Sequence, residues 1–357
     1  MPPCSHTEMS HEYVGSIHLH TSSSDGATDH EEVSRIASRA GLDFLIVADH
    51  NVLTKGREGW YGDLLLLVGE ELHDTERVPE ANHYLAFDIK GHIAADGKSA
   101  QAVIDAVNTQ GGFGFISHPF EHSPPFTGEP DLSWVDWNVA DYTGLEIWNY
   151  MSEFKSYLHN LRWALVLIHF PRIAMTGPFP ETLAKWDELL KSRKTAAFAG
   201  IDAHGNAYRL GPLRRPVLPY EHCLKAARTH ILTDQPFTRD LEPDKALIYQ
   251  ALKEGRCFTA YDGIGDAFGF RFYAKSDGLT AGMGQDIPVG TGVEFEIVSP
   301  IRADLRLFKD GEAVTRTKGR HLSLTARGSG VYRVEAYRRH LFKRRGWVFT
   351  NPIYVTG

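Results

Sequence analysis

The chain has 357 residues, 42% of them hydrophobic, with 38 lysines and arginines against 45 aspartates and glutamates and a formal charge of −7. That length allows a core larger than one average domain, and the charge excludes the global positive field that non-specific nucleic-acid binding needs. Cys4, Cys223 and Cys257 are too few and too far apart for a disulfide framework or a CxxC zinc knuckle.

The N-terminal stretch MPPCSHTEMSHEYVG lacks the basic start and apolar run of a secretory leader. No segment approaches the roughly 18 apolar residues of a membrane helix. A cytoplasmic protein without membrane contact is expected. Histidine is the compositional oddity: of 18, 11 fall in the first 122 residues. Imidazole is the commonest metal ligand, so their placement matters.

Taken in order, residues 16–19 form a short apolar strand ending in a His-rich turn. Asp29 can cap a helix, with Glu31 and Glu32 in its first turn, Val33, Ile36, Ala37 and Ala40 on one face, and Gly41 as the stop. Leu42 to Ala48 is a near-continuous apolar run, the pattern of a strand buried on both sides. The pattern recurs: strands at 64–68, 84–89, 113–117, 144–148 and 196–201, with helices predicted over 99–110, 181–192 and about 244–253. Alternating β and α elements argue for a parallel sheet or barrel. Beyond about residue 265, Val293, Phe295 and Ile297, then Leu305 and Leu307, then Tyr332, Val334 and Ala336 alternate with polar residues. That period points to a small antiparallel β-sandwich-like domain. The expected division is 1–260 for an α/β barrel and 261–357 for an all-β domain.

Most candidate ligands stand at or just after a predicted strand, and the carboxyl ends of strands are where α/β barrels build their sites. His18 and His20 are i and i+2, which a regular strand points the same way. Asp25 follows on a loop with Gly26, whose freedom permits an unusual turn. His50 comes after Asp49, Glu71 stands beside its competitor Glu70, His83 follows Asn82, His118 precedes Pro119, and Asp202 and His204 are again i and i+2. Each alone reads equally well as a rim or core residue. Together, at successive strand ends, they point to one metal-binding mouth.

The set HLHTSSSDG, ADHN, GEE, NHYLA, SHP and IDAH resembles the PHP (polymerase and histidinol phosphatase) superfamily over roughly residues 14–255. The segment WVFTNPIYV is similar to a C-terminal β extension of some members. The resemblance implies a distorted (β/α)7 barrel holding two or three divalent metal ions (zinc, manganese or iron), with a trinuclear centre as the fuller case. It implies His18, His20, Glu71 and Asp202 on one ion, Glu71 bridging to a second held by His83 and His118, and Asp25, His50 and His204 on a third. Asp49 becomes an orienting group, and Ile201 replaces a serine common in the family. Glu71, Asp202 and His204 would carry the reaction, in which water made acidic by the metal supplies hydroxide near neutral pH.

The implied activity is a metal-dependent phosphoesterase acting on a small-molecule phosphate mono- or diester, nucleotide- or sugar-phosphate-like. The rivals are an amidohydrolase-like hydrolase of a non-phosphate bond, or a degenerate barrel with a binding β module. For substrate phosphate, Arg209 is the best-placed cation, ahead of Lys155, Arg162, Arg214 and Arg215. Glu146, Trp148 and Asn149 lie near the expected mouth. The basic stretch Arg338 to Arg345 reads as a hairpin end whose charge blunts an edge, rather than a nucleic-acid contact.

Overall fold

The computed structural model describes residues 10–124, 126–210 and 213–357, with the side chains of 208–215 outside that description. The first half builds β1 (His11–Leu19), β2 (Phe44–His50), β3 (Gly59–Tyr61), β4 (Leu64–Leu72), β5 (Tyr84–Phe87), β6 (Phe113–Ile116), β7 (Gly144–Asn149) and β8 (Ala196–Ala203). Parallel ladders join β1 to β2, β2 to β4, β6 to β7, β7 to β8, and β8 back to β1. β5 runs antiparallel to both β4 and β6. Seven strands thus close a barrel, with the short β3 paired to β4 outside it.

Around the barrel lie α1 (His30–Arg39), α2 (Ala100–Thr109), and the run α3 (Tyr150–Ser156), α4 (Leu161–His169) and α5 (Pro180–Leu190) between β7 and β8. Asp29 caps α1 by accepting from the Glu32 amide at 2.8 Å, and Ser99 caps α2. The apolar run of β2 is buried on both sides. Phe44, Ile46 and Ala48 join the barrel interior, while Leu45 and Val47 face the outer layer with Val33 and Ala37 of α1. Full burial of each large side chain is worth about 1.5–3 kcal/mol, so the strand's register is firmly held.

After β8 come the hairpin β9 (Ala207–Leu210) and β10 (Leu213–Pro216), α6 (Tyr220–Leu224), β11 (Ala227–Thr233), α7 (Leu241–Glu254) and β12 (Cys257–Tyr261). α7 sends Ile248, Tyr249, Ala251 and Leu252 into the interior cluster beside Phe87 and Phe113. Phe113 opens β6 and Phe87 ends the antiparallel β5, so α7 closes the floor of the barrel and leaves the other end open. Alternation with helices is less regular than the sequence reading expects. Among the described residues no α-helix separates β2 from β4, where there is only a 3-10 turn at Lys55–Arg57, or β4 from β5, or β6 from β7.

The C-terminal strands are β13 (Arg271–Ser276), β14 (Leu279–Gly282), β15 (Asp286–Pro288), β16 (Val293–Lys309), β17 (Glu312–Ala326), β18 (Gly330–His340), β19 (Lys343–Thr350) and β20 (Ile353–Thr356). All their pairings are antiparallel except β15 with β20. β16 shifts register between Val298 and Ala303, so its first half ladders with β13 and its second with β18. The hydrogen-bonded ladder runs on from β1 through β11 and β12 to β19, tying these strands to the barrel. The Arg338–Arg345 stretch is the β18–β19 hairpin. Buried Arg345 donates to the carbonyls of Arg172, Ile173 and Met175. No helix among the described residues is long and apolar enough to cross a membrane.

Candidate metal centre

The open rim collects side chains from six strands. His18 is the penultimate residue of β1 and His20 follows its end; His50 ends β2; Glu71 lies one residue from the end of β4; Asp202 lies one from the end of β8, with His204 just beyond. His118 follows β6 by two residues. His83 precedes β5, and because that strand runs antiparallel, its start lies on the same rim as its neighbours' ends. Asp25 reaches in from the loop before α1.

All nine residues that the motifs single out fall into groups whose donor atoms lie within 4.8 Å of one another: His18, His20, Glu71 and Asp202; Glu71, His83 and His118; and His20, Asp25, His50 and His204. In the first group, His20 Nε2 is 3.1 Å from Asp202 Oδ1 and 3.3 Å from Glu71 Oε2, and His18 Nε2 is 3.2 Å from Glu71 Oε2 and 3.5 Å from Asp202 Oδ1. Ligands at about 2.0–2.1 Å from a tetrahedral ion stand about 3.3–3.4 Å apart, so the spacing fits a cation. The other oxygen of Glu71, Oε1, is 3.1 Å from both His83 Nδ1 and His118 Nε2. Asp25 Oδ2 is 3.3 Å from His204 Nε2 and 3.9 Å from His50 Nε2. This last group is nearest solvent, with half of the Asp25 side chain exposed, whereas Glu71 is buried.

Buried polar atoms without partners are rare in folded proteins and call for an explanation. Here His18 Nε2, His20 Nδ1, His50 Nδ1, His118 Nδ1 and Glu71 Oε2 are all buried and make no hydrogen bond. In three of the cluster histidines one ring nitrogen is held by a group outside the donor set. His18 Nδ1 lies 2.8 Å from Glu146 Oε1, His83 Nε2 lies 3.0 Å from Glu80 Oε1, and His204 Nδ1 lies 3.0 Å from the Asp202 carbonyl. Such partners take the ring N–H and leave the other nitrogen's lone pair facing inward, the arrangement of metal-ligating histidines. The residues present therefore fit divalent metal ions.

Electrostatics agrees. Burial works against charge on Glu71 and Asp202, yet the surrounding imidazoles hold both carboxyls well below their usual range. Burial likewise opposes protonation of His18, but Glu146, Glu71 and Asp202 push its pKa well above the ordinary value. At the mouth burial again opposes charge, yet His204 rises to about 9 beside Asp25, and Asp25 falls to about 2. Cations would enter in competition with protons, so their uptake releases protons.

Local geometry departs from the sequence reading in two places. The i, i+2 rule does not place His18 and His20 by regular strand alternation. His18 has φ 63°, Asp202 φ 48°, and the β1–β8 register slips between Ile17 and Leu19. A bulge re-aims these side chains. Gly26 is not in a positive-φ turn. Its missing side chain matters because a Cβ there would sit 2.3 Å from the His20 carbonyl oxygen. Gly200 acts similarly: a Cβ would collide with Glu146 Oε1, the atom that holds His18.

Around the cluster, Asp49 accepts from the Thr21 amide, the Thr21 hydroxyl and the Ser24 hydroxyl, and so pins the loop that carries Asp25. Glu70 points the other way along β4, to His92 and the Ile93 amide, which separates it from Glu71. Glu146 also accepts from the His118 amide, and Asn149 bridges Glu146 to Asp202. Trp148 is packed in the core and donates to Glu153. Lys155 lines the cavity but is paired with Glu121 and Glu129, and Arg162 is exposed away from it. The side chains of Arg209, Arg214 and Arg215 lie outside the described residues. Ile201 is a core residue. The sequence reading missed Glu80 and His73, which with His50 and His83 forms a further candidate group. A carboxylate three residues before His83, and a histidine two beyond Glu71, were the available signals.

No protein-family profile matches the chain, and no curated protein matches it. Among solved structures the chain is similar to a two-domain protein from Bacteroides vulgatus containing a predicted PHP-like metal-dependent phosphoesterase, at 14% identity and TM-score 0.47, over 96% of this chain and 95% of that one. A protein from Bifidobacterium adolescentis, provisionally designated a metal-dependent phosphoesterase, aligns at 19% identity and TM-score 0.36 over 57% of this chain and 95% of that one. An amidohydrolase from Chromobacterium violaceum with bound sulfate and no metal aligns at 15% identity and TM-score 0.31, over 59% and 96%. At such distance the chemistry rests on this chain's own side chains. This chain's closed seven-stranded α/β barrel is the fold that the resemblance to the PHP superfamily implied.

Proposed function

We propose that the chain is a metal-dependent phosphoesterase of the PHP type, hydrolysing a small-molecule phosphate ester at the barrel mouth. The observation that carries this reading is Glu71, a buried carboxylate with Oε2 toward His18, His20 and His50 and Oε1 toward His83 and His118. One carboxylate facing two imidazole sets fixes the spacing of two cation sites. His18, His20 and Asp202 complete one site, His83 and His118 the other, and Asp25, His50 and His204 offer a third nearer solvent. When bound, such divalent ions neutralise phosphoryl oxygens and make water acidic enough to give hydroxide near neutral pH.

The chain's own contribution is position and proton placement. Glu146 and Glu80 keep the N–H of His18 and His83 on the outer nitrogens. The Asp202 carbonyl does the same for His204 at Nδ1. Asn149 orients Asp202 through its Oδ2, and Asp49 holds the loop bearing Asp25. Such pre-set geometry aligns an incoming ester without reorganisation.

The test is turnover of an aryl phosphate with metal analysis of the same preparation. Asp202→Ala is expected to lower kcat by about 10³-fold or more, and the wild type to hold two or three ions per chain. Unchanged turnover in the variant would reject the mechanism. A panel of carboxylic esters and amides beside phosphates separates this reading from hydrolysis of a non-phosphate bond.

A further inference from the structure

The cavity above the ligand cluster has a volume of about 730 Å³, within the range of roughly 300–1,000 Å³ of small-molecule sites. Its two sides differ in chemistry. The floor is the histidine and carboxylate cluster. The rest of the lining is largely hydrocarbon, with Phe126, Met151, Phe154, and Leu161, Leu165 and Ile168 of α4, and includes the polar Glu129, Lys155 and His169. Residues spaced i, i+4 and i+7 share one helix face, so α4 presents a continuous apolar stripe to the site.

Among the described residues, parts of that lining stay open to solvent. Phe126 is 46% exposed, Leu161 44% and Leu165 37%. A contiguous apolar surface open to water and joined to polar groups marks a binding groove. Among the described residues, the carboxylates and the lysine that line the cavity suit a second anionic group poorly. Lys155 is committed to Glu121 and Glu129, and Glu80 and Glu129 themselves line the cavity. The cavity is continuous with the ligand cluster, so the groove's occupant is the remainder of the molecule whose phosphoryl group reacts below.

Resting on the phosphoesterase reading, we propose that the substrate is a phosphate ester of an apolar alcohol, its alkyl or aryl chain lying along α4, rather than a nucleotide or sugar phosphate. In the reaction water adds its oxygen to phosphorus as the bond from phosphorus to the ester oxygen breaks. The alkoxide leaves as the free alcohol with a proton from that water.

Two measurements on the metal-replete protein test it. Calorimetric binding of methyl-, butyl- and octylphosphonate should tighten by roughly twofold or more per methylene, since each buried CH₂ contributes to affinity. Turnover should favour octyl phosphate over methyl phosphate, adenosine monophosphate and glucose 6-phosphate by about 100-fold or more in kcat/KM. Leu165→Asp, at an exposed position, should cut the octyl-over-methyl preference at least tenfold. A flat phosphonate series, or preference for the nucleotide or sugar phosphate, overturns the proposed substrate class and leaves the phosphoesterase reading standing. Chain-dependent phosphonate binding without hydrolysis of any phosphate ester supports the apolar groove and overturns the phosphoesterase reading.

Discussion

Among the described residues, two buried clusters of histidine and carboxylate, one beside β1 and β11 and one at the barrel mouth, are built to opposite rules. Beside β1 and β11, His230 lies between Glu12, 2.8 Å from Nδ1, and Asp262, 3.1 Å from Nε2. Arg271 and the Gly269 amide serve Glu12; Arg228 and the Ala267 amide serve Asp262. No side-chain atom of this triad is left without a partner. At the barrel mouth the same residue types leave ring nitrogens and a carboxylate oxygen buried and unpaired. A satisfied network closes on itself and holds the fold; an unsatisfied one is completed by something from outside.

The sharpest way to break that contrast is to strip metal. Chelation is expected to reduce phosphate-ester turnover by about 10³-fold or more, with recovery on adding back a divalent ion. His230→Leu should leave turnover within tenfold of the wild type. If chelated protein retained full turnover, the unpaired atoms would need another explanation. The variant's effect should appear in stability instead. Removing the imidazole leaves two buried carboxylates with weaker compensation, which costs about 3–5 kcal/mol, read by chemical unfolding. A loss below about 1 kcal/mol would mean that the arginines alone neutralise Glu12 and Asp262.

The two clusters also respond differently to pH. Burial lowers the pKa of His230, but Asp262 and Glu12 overcome it and raise the group to about 9. The unfolded value lies near 6.5. Between these values the folded chain binds the proton that the unfolded chain has released, so stability falls as pH rises. His230 thus contributes fully below about pH 6.5 and loses its contribution as pH climbs through about 9. Glu12 and Asp262 are held below their ordinary values, so their contribution is present above the carboxylate range and lost as pH falls. The stability gap between wild type and His230→Gln should shrink by about 3 kcal/mol from pH 6 to pH 9.5. A gap independent of pH would sink this account.

The sequence showed one cluster and hid the other, for a physical reason. Ligands at strand ends carry motifs, because a short apolar run, a turn and an imidazole must follow one another. Hence His20, His50, His118 and His204 could be read together. Glu12, His230 and Asp262 come from separate elements with no motif between them. Glu146 was seen only as a residue near the mouth, since its partner His18 is 128 positions away. The barrel strands were legible as apolar runs, but β1 begins earlier than expected, at His11, where polar alternation masks its pairing with β11. α4 (LRWALVLIH) was not read as an element; its apolar residues are divided between the core, which takes Leu167, and the cavity, which takes Leu161, Leu165 and Ile168.

His73 tests where the line between the two kinds of cluster falls. It stacks on His83 with centroids 4.3 Å apart, its Nδ1 is buried and unpaired, and its Nε2 stands 3.5 Å from Glu80 Oε1. It can complete a group with His50 and His83, yet it has no carboxylate firmly fixing its tautomer, as His18 and His83 have. A residue that supports ligands without being one changes metal affinity by roughly 10–100-fold when fixed by a strong bond; here only a stack and a long contact do so. His73→Ala should therefore reduce turnover by less than about tenfold, an effect of about 1 kcal/mol, with the ion count per chain unchanged by elemental analysis. Loss of one ion per chain would move His73 into the ligand set and extend the unpaired cluster by one imidazole.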